Sequence, residues 1–263
     1  MRQIMKQEKR QKTVVITGAS SGIGMEFARS YAKMGYRLIL TARRKELLEQ
    51  LSEELKVPCV ILTADLSDES ECYRLCGQLE NESVDVFINN AGFGACGSFA
   101  ETDLSKEVSM IHVNIQAMHI LLKTMLRKMK AQGHGRILNV ASSAGLFPAG
   151  PYMAAYYASK AYVVSLTKGI AEELREENSK VYICALCPGP VNTEFNDRAD
   201  VTFSLKGISP AYCVKEAFTG MKHHRTIIVP SPLMRFCTTM QHLIPDAILL
   251  KFVSRQQRKK TGH

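Results

Sequence analysis

Short hydrophobic runs alternate with longer amphipathic stretches along the chain. Several of the short runs are apolar throughout, as is typical of strands that are buried on both faces of a parallel sheet. The pattern predicts about seven such strands. They are residues 13–17, 36–42, 58–64, 84–89, 135–142, 180–186 and 225–230.

The stretches between these strands predict helices. Residues 44–55 carry leucines at helical spacing, and residues 209–222 begin with a serine that can cap a helix and a proline that fits its first turn. The end-to-end alternation predicts an α/β fold, a Rossmann-type doubly wound parallel sheet with helices on both faces. Such sheets bind ligands at the carboxyl ends of their strands. The other predicted helices are residues 22–34, 68–80, 103–131 and 154–178.

The chain continues past the last predicted strand. Residues 232–253 are apolar with scattered charge and basic residues follow, which predicts a C-terminal helical extension of one helix, or of two separated at Pro245. We expect this extension, residues 231–263, to pack on the main domain at residues 12–230 or on a partner subunit. The alternative is an amphipathic segment that lies on an anionic membrane surface. Residues 1–11 are expected to form a basic N-terminal tail.

The net charge of +9 resides at the two ends of the chain. Residues 1–13 contain five basic residues and one acid, and residues 251–263 contain five basic residues and no acid, so residues 14–250 are balanced. A nucleic-acid enzyme more often carries a basic stripe across its fold. We therefore expect no nucleic-acid partner.

Export and metal-binding signals are missing from the sequence. The N-terminus has no apolar core, and no stretch approaches the ~20 apolar residues of a membrane span. The eight cysteines lack zinc-site spacing, and the C-x-x-C of Cys184 and Cys187 lies in an apolar, strand-like run. These features predict a cytoplasmic protein with buried, reduced cysteines and no metal. Peripheral contact with the inner face of a membrane is the alternative location.

A glycine-rich segment follows the first predicted strand. Thr17-Gly18-Ala19-Ser20-Ser21-Gly22-Ile23-Gly24 leads directly into a predicted helix. Glycines allow a sharp turn, and the free N–H groups of a helix N-terminus attract phosphate. Taken alone, the segment also fits a tight turn that binds nothing. Its place after the first strand favours dinucleotide binding. The predicted contacts are Gly18, Ser20, Ser21, Gly22, Ile23 and Gly24.

The second predicted strand ends in two arginines, Arg43 and Arg44, and no acid occurs between Glu26 and Glu46. An acid near this point usually binds the ribose 2′-OH of NAD, whereas an arginine suits the 2′-phosphate of NADP. Alternatively, the arginines simply begin a solvated helix. We predict NADP(H) as the cofactor in preference to NAD(H), with Arg43 as a contact.

Two further strand ends carry polar or small residues. Asp65 and Leu66 follow the third strand, and Asn90, Ala91 and Gly92 follow the fourth. A helix cap and a simple turn explain these positions equally well. Because the carboxyl ends of parallel strands meet at one edge of the sheet, we expect these residues beside the cofactor.

Tyr156 is the only one of nine tyrosines with a lysine four residues later, Lys160. That spacing places both side chains on one face of a helix. A lysine cation stabilises phenolate and so favours proton transfer by the tyrosine. Ser143 ends the fifth strand, where its hydroxyl can bind a substrate oxygen. Such pairs also arise by chance in a lysine-rich chain, and the neighbouring Tyr157 lacks a lysine partner.

These motifs, in this order, resemble the single-domain short-chain dehydrogenase/reductase family. The resemblance runs from about Lys12 to Thr193. No single motif is specific, but several in the right order are. They are the glycine-rich segment, Asp65, Asn89-Asn90-Ala91-Gly92, Asn114, Ser143, Tyr156-x-x-x-Lys160 and Pro188-Gly189-x-Val191-x-Thr193.

The resemblance implies a role for each matching residue. Tyr156 would be the general acid in reduction and the general base in oxidation, and Ser143 would orient the carbonyl. Lys160 would hold the nicotinamide ribose and tune Tyr156, and Asn114 would join a proton relay through Lys160. The remaining matches would contact the cofactor: Asn90 and Gly92 on the adenosine side, Val191 and Thr193 at the nicotinamide carboxamide, and Pro188 and Gly189.

Residues 194–208 fall where the family has a variable substrate loop. Phe195 and Phe203 suggest an apolar lid over the substrate. Core packing explains each of these side chains equally well. Across the pocket, the candidate lining residues are Gly94, Phe147, Pro148 and Met153.

The leading hypothesis is an NADP(H)-dependent oxidoreductase that interconverts a carbonyl compound and an alcohol. The apolar pocket favours an acyl, steroid-like or aromatic substrate. By analogy with the family, helices 103–131 and 154–178 imply a homodimer or homotetramer. The alternative is a non-catalytic module of the same fold that binds NADP(H) or docks on a membrane.

Overall fold

The centre of the molecule is a parallel sheet. The computed structural model describes residues 10–194 and 207–258. Its strands are β1 (Thr13–Thr17), β2 (Arg37–Ala42), β3 (Cys59–Thr63), β4 (Val86–Asn89), β5 (Gly135–Val140), β6 (Val181–Leu186) and β7 (Ile227–Ile228). They pair in the order β3-β2-β1-β4-β5-β6-β7, and each pairing is parallel. The order reverses between β1 and β4, which confirms the predicted doubly wound α/β fold.

Helices cover both faces of this sheet. Successive residues of β1 point to opposite faces, so Val15 joins one hydrophobic core while Val14 and Ile16 join a second. The helices are α1 (Gly22–Lys33), α2 (Lys45–Leu55), α3 (Glu69–Gln78), α4 (Leu104–Ile111), α5 (Met118–Gln132), α6 (Ala154–Glu176), α7 (Pro210–Lys222), α8 (Pro232–Met240) and α9 (Asp246–Arg258). The first core contains residues of α3, α5 and α6, and the second contains residues of α1, α2 and α7.

Two elements differ from the sequence prediction. The strand predicted over residues 225–230 is reduced to Ile227 and Ile228, which pair with Ala185 and Leu186 of β6. Pro230 has no N–H to continue the pairing, and Ser231 caps α8 directly after it. The helix predicted over 103–131 is continuous, but residues His112–Ala117 between α4 and α5 adopt a π-helix.

The C-terminal extension consists of two helices, α8 and α9, that are separated at Pro245. It contacts the segment between β5 and the first turn of α6. The side chain of Gln241 donates to the backbone oxygen of Leu146 over 2.6 Å, and that of Gln257 donates to the hydroxyl of Tyr157 over 2.7 Å. These contacts bring the end of the chain to the carboxyl edge of the sheet.

Cys184 and Cys187, the pair in the C-x-x-C sequence, are completely buried. Burial raises the pKa of both thiols to about 12, so they are protonated at neutral pH. Their role is packing, as the sequence predicts. In the described parts of the chain, none of the helices combines the length and the apolarity that crossing a membrane requires.

Candidate active site

A cleft of about 670 Å³ opens along the carboxyl edge of the sheet. All the predicted site residues line it except Gly24, which lies under the glycine turn, and Asn114, which lies behind Lys160. Of the predicted substrate-side residues, Phe147 and Met153 line the cleft, whereas Gly94 and Pro148 do not. Phe195 and Phe203 fall outside the described residues.

The glycine turn after β1 is built by close backbone packing. Gly18 and Gly22 have φ angles of +64° and +55°, which favour glycine. A Cβ at Gly24 would lie 2.3 Å from the backbone oxygen of Gly18 and 2.6 Å from Nδ2 of Asn90. Only glycine therefore allows α1 to start this close to the end of β1.

The first turn of α1 fits an anionic ligand. Ser21 occupies the N-cap position of α1 but makes no side-chain capping hydrogen bond to the described residues. The backbone N–H groups of this turn are therefore not capped by that side chain, and they border the cleft beside Ser20 and Ile23. Phosphate groups bind readily at such a helix N-terminus. The pyrophosphate of a dinucleotide thus fits the turn.

The residues after β4 brace the glycine turn. Asn90 donates through Nδ2 to the backbone oxygens of Thr17 and Gly18 over 2.9 and 3.2 Å. The hydroxyl of Thr17 accepts from the backbone N–H groups of Asn90 and Ala91 over 2.9 and 3.0 Å. Asn90 therefore holds two strand ends together in addition to lining the cleft.

Two arginines, Arg43 and Arg44, follow β2 and line the cleft next to the glycine turn. Arg43 lies 3.9 Å from the carboxylate of Asp65, and both side chains are about half exposed. Arg44 donates to the hydroxyl of Ser20 over 3.3 Å and pairs with Glu194 over 2.9 Å. The cleft thus has two arginines, each beside an acid, next to the turn that fits phosphate.

Tyr156 and Lys160 lie side by side on α6, as their spacing predicts. Both are buried, and the Lys160 ammonium lies 5.9 Å from the centre of the Tyr156 ring. Nζ of Lys160 donates to the backbone oxygen of Val140, at the end of β5, over 3.1 Å. A Cβ at Gly92 would lie 3.2 Å from the same Nζ, so Gly92 leaves room for the ammonium.

Asn114 lies in the π-helix, completely buried behind Lys160. Its side chain exchanges two hydrogen bonds with the backbone of Phe93, over 2.9 and 3.1 Å, and donates to the hydroxyl of Ser159 over 3.1 Å. A π-turn inside an α-helix often occurs at a functional site. The sequence shows no local signal for this turn, because its hydrophobic spacing is that of an ordinary helix.

Adjacent serines follow β5, and they occupy different positions. The side chain of Ser142 caps the turn that follows: its Oγ accepts from the backbone N–H of Ala144 over 3.1 Å and donates to the backbone oxygen of Pro188 over 3.4 Å. The same hydroxyl faces Tyr156 and lowers the pKa of its phenol. Ser143 begins a 3₁₀ turn (Ser143–Leu146), and its backbone N–H donates to the oxygen of Pro188 over 2.8 Å. Gly145 lets this turn pack directly on α6, since a Cβ there would lie 2.3 Å from the oxygen of Lys160. Ser142 lines the cleft beside Ser143 and was not among the predicted site residues.

Burial changes the acidity of this cluster. Removal from water raises the pKa of Tyr156 to about 12, although the hydroxyl of Ser142 opposes the rise. Burial lowers the pKa of Lys160 to about 8. Both shifts favour the neutral forms of the two side chains, because a low-dielectric site disfavours charge.

The rest of the cleft is walled by the C-terminal extension. Its contributing side chains are mostly apolar and come from α8, α9 and the turn between them. Gly189 allows close approach of α8, because a Cβ there would lie 2.7 Å from Cγ of Met234. The sequence analysis does not predict these wall residues. They are Met234, Phe236, Cys237, Met240, Gln241, Ile244, Leu249, Phe252, Val253, Gln256 and Gln257.

A family model for the short chain dehydrogenases matches residues 12–202. The chain belongs to the short-chain dehydrogenase family. This confirms the resemblance drawn from the motifs. It also makes the protein a member of a family of oxidoreductases.

Individual members of the short-chain dehydrogenase family agree with this assignment. The uncharacterized oxidoreductase YvrD of Bacillus subtilis is 33% identical over 244 residues, which cover 92% of this chain and 89% of that protein. A short-chain dehydrogenase from Sphingobium yanoikuyae in complex with NADPH is 29% identical, with a TM-score of 0.79 over 89% of this chain and 95% of that one. A short-chain dehydrogenase/reductase from Burkholderia phymatum in complex with NAD is 26% identical, with a TM-score of 0.80 over 89% and 93%.

Proposed function

We propose that this short-chain dehydrogenase interconverts a ketone or aldehyde and an alcohol, with NADP(H) as its cofactor. The observation that carries the proposal is one cleft that holds both a turn suited to a dinucleotide and the side chains of Ser143, Tyr156 and Lys160. The relatives support a nicotinamide cofactor, since solved members hold NADPH or NAD. A binding role alone would not require a buried tyrosine paired with a buried lysine.

In the proposed reaction, a bound nicotinamide cofactor supplies or accepts the hydride. Tyr156 donates its phenolic proton to the carbonyl oxygen during reduction and takes the hydroxyl proton during oxidation. Ser143, which lines the cleft, orients that oxygen by a hydrogen bond from its hydroxyl. The role predicted for Ser143 thus stays with it in this proposal, because the hydroxyl of Ser142 is engaged with Ala144 and Pro188.

Lys160 and Asn114 support the proton transfer. When protonated, Lys160 stabilises the phenolate of Tyr156 and opposes the effect of burial on its pKa. We propose that Lys160 also contacts the nicotinamide ribose, and that Asn114 continues the proton path behind it. The geometry supports this path because both side chains border the same small space beside Gly92. A Cβ added at Gly92 would lie 2.9 Å from Oδ1 of Asn114 and 3.2 Å from Nζ of Lys160.

The preference for NADP(H) rests on Arg43 and Arg44 at the end of β2. They line the cleft beside Ser20, where the 2′-phosphate of NADP would add two negative charges. A charge-assisted hydrogen bond of this kind contributes about 1.5–3 kcal/mol. We expect Arg43→Ala to lower kcat/KM for NADPH roughly 10- to 100-fold and to leave that for NADH nearly unchanged. Equal losses with the two cofactors would contradict this preference.

The substrate is proposed to be largely apolar. The wall formed by α8 and α9 supplies methionine, leucine, valine and phenylalanine side chains, and Phe147 and Met153 add to it. Pockets of this composition bind hydrophobic ligands and orient them through a few polar groups. Acyl, steroid-like and aromatic carbonyl compounds all meet this description.

A panel of such ketones, aldehydes and alcohols tests the proposed activity. Absorbance of NADPH and NADH reports turnover with each compound. Oxidation of NADPH with at least one apolar carbonyl, and a higher kcat/KM for NADPH than for NADH, is the expected result. No turnover with any member of the panel would contradict the proposed activity.

A second candidate function, docking on a membrane, is favoured by exposed apolar side chains on the extension. Leu243 is 75% exposed, Leu233, Phe236 and Phe252 are more than half exposed, and the last turn of α9 is basic. Such a surface can bind anionic lipids. Sedimentation with phosphatidylserine vesicles tests it. Leu243→Glu should reduce binding, whereas Met34→Glu, at the exposed position directly after α1 and outside the extension, should not.

We also propose that the protein forms a homo-oligomer. On α4, Leu104, Val108 and Ile111 are exposed at helical spacing and form an apolar stripe. A second copy of the chain would remove this stripe from water. Sedimentation velocity measures the mass directly, and a monomer at all concentrations would refute the proposal.

A further inference from the structure

Two buried glutamines interrupt the apolar wall that the C-terminal extension adds to the cleft. Gln241, in the turn between α8 and α9, is 5% exposed, and Gln257, in the last turn of α9, is 2% exposed. Both line the cleft, and their neighbours along it include Met240, Leu249 and Val253. A glutamine amide is strongly polar, so each needs hydrogen-bonding partners when it is buried.

The amide nitrogens have partners within the protein. Nε2 of Gln257 donates to the Tyr157 hydroxyl over 2.7 Å. Nε2 of Gln241 donates to the backbone oxygens of Leu146 and Thr238 over 2.6 and 3.0 Å. These bonds fix the two amides on opposite sides of the turn that leads into α6.

Within the described parts of the chain, the amide oxygens have no hydrogen-bond partner. Oε1 of Gln241 and Oε1 of Gln257 are both buried, and neither accepts a hydrogen bond from any described residue. Such an acceptor costs free energy as long as no donor reaches it. A leucine or methionine of similar volume would fill either position without this cost. Packing therefore explains the size of these side chains but not their polarity.

A ligand in the cleft can supply the missing donors. Both glutamines line the cleft, so a bound ligand can bring a donor to these oxygens while the nitrogens keep their partners. Because the two nitrogens are already engaged, the free groups are acceptors, and they select a ligand that donates. In a mostly apolar small molecule, the simplest such group is a hydroxyl.

We propose that Gln241 and Gln257 are specificity-determining residues that accept hydrogen bonds from a hydroxyl group of the substrate, away from the carbonyl oxygen that Tyr156 protonates. The substrate is then an apolar carbonyl compound or alcohol that carries at least one further hydroxyl. Gln257 is well placed for this, because its hydrogen bond holds Tyr157. The ring of Tyr157 packs edge to face against that of Tyr156, with the ring centroids 6.4 Å apart. The inference rests on the proposed function and narrows its substrate class.

Matched substrates test the inference. The probes are 2-octanone, 2-decanone and 2-dodecanone, each compared with its ω-hydroxy derivative and NADPH. For the wild-type protein, we expect kcat/KM to be about tenfold higher for the hydroxylated member at the chain length that spans the cleft. In Gln257→Leu and Gln241→Leu, this preference should shrink to about twofold, mainly because KM rises more for the hydroxylated ketone than for its parent.

Gln256→Leu is the matched control, since Gln256 is the adjacent glutamine on α9 and is only half-buried. It should affect both members of each pair equally. Gln257→Met keeps an unbranched side chain and replaces Gln257→Leu if the leucine variant unfolds. Equal losses for parent and hydroxylated ketones in the variants would show a purely structural role and overturn the inference.

The inference and the proposed activity can fail separately. Turnover of the ketones without preference for the hydroxylated member refutes the inference alone. Absence of all turnover refutes the activity, and the dissociation constants of 2-decanone and its ω-hydroxy derivative for the NADPH-loaded protein then decide the inference. Tighter binding of the hydroxylated compound by wild type, lost in Gln257→Leu, supports it. Equal affinities, or no binding of either compound, contradict it.

Discussion

The glycine turn after β1 and the wall made by α8 and α9 line the same cleft, but they are built in different ways. The turn uses backbone: positive φ angles at Gly18 and Gly22, and a helix start that only glycine at position 24 permits. The wall uses side chains that arrive from the end of the chain and that are held by hydrogen bonds to the segment before and within α6. One region is therefore fixed by local rules, and the other depends on tertiary packing.

This difference has a consequence for function. A backbone cradle recognises what all dinucleotides share, a pyrophosphate, and tolerates little change in sequence. A wall of side chains can change shape and polarity through single substitutions without disturbing the sheet. Any atom added at the cofactor end of the cleft should therefore impair cofactor binding, whereas a substitution at the substrate end should change the affinity for some substrates and not for others.

The largest expected effect is at the turn. Gly24→Ala places a Cβ 2.3 Å from the backbone oxygen of Gly18, so the start of α1 must move. We expect loss of measurable NADPH binding and a free energy of unfolding lower by about 1–3 kcal/mol. Calorimetric titration and denaturant unfolding measure the two quantities.

Gly169→Ala is the control for this change. Gly169 lies in α6, and a Cβ there would meet nothing within 4 Å. The variant should gain about 0.5–1 kcal/mol in stability and bind NADPH normally, because alanine suits a helix interior better than glycine. Normal cofactor binding by Gly24→Ala would show that the close approach at the turn is unimportant.

A smaller effect is expected at the two serines after β5. Ser143→Ala removes the hydroxyl proposed to orient the substrate oxygen and should lower kcat about 100-fold, as loss of a donor to a reacting oxygen does. Ser142→Ala removes the hydroxyl that caps the turn after β5 and should change kcat by less than about threefold, the usual range of a substitution outside such contacts. Steady-state kinetics with one active ketone compares them. The reverse order would move the role to Ser142.

The last expected effect is on stability alone, through Lys160. Its folded pKa of about 8 lies below the ordinary value of 10.5, so the folded state resists protonation of this side chain. The resulting destabilisation is complete below pH 8 and disappears as the pH rises from 8 to 10.5, where only the unfolded state binds the proton.

Lys160→Met should therefore stabilise the cofactor-free protein at pH 7, by up to about 3 kcal/mol. The advantage over wild type should shrink between pH 8 and pH 10.5. Urea unfolding of both proteins at several pH values measures it. A difference in stability that does not vary with pH would show that burial of the Lys160 ammonium does not destabilise the folded protein.

The contrast between the two regions also explains what the sequence can predict. The strands, the doubly wound order and the glycine turn follow from short-range patterns, namely apolar runs, a helix after a glycine segment, and a tyrosine and lysine four residues apart. The hydrogen bonds of Ser142 do not, because they depend on β5 ending at Val140 and on the 3₁₀ turn starting at Ser143. If that turn started one residue later, Ser143 would occupy the capping position.

The π-helix at Asn114 and the position of the extension lie beyond local patterns as well. The apolar residues of α8 and α9 have the same spacing whether they face a core, a partner or a pocket. Only the contacts of Gln241 and Gln257 with the segment around α6 identify them as part of the cleft. The buried oxygens of these glutamines become informative only in three dimensions.

The central claim is that Tyr156 transfers the proton in a cleft that binds its cofactor independently. Tyr156→Phe tests it most directly, because it removes one hydroxyl and keeps the ring that packs beside Lys160 and Tyr157. We predict that the dissociation constant for NADPH stays within about threefold of wild type, while turnover of the best ketone falls roughly 10²- to 10⁴-fold. Undiminished turnover in Tyr156→Phe would contradict the account.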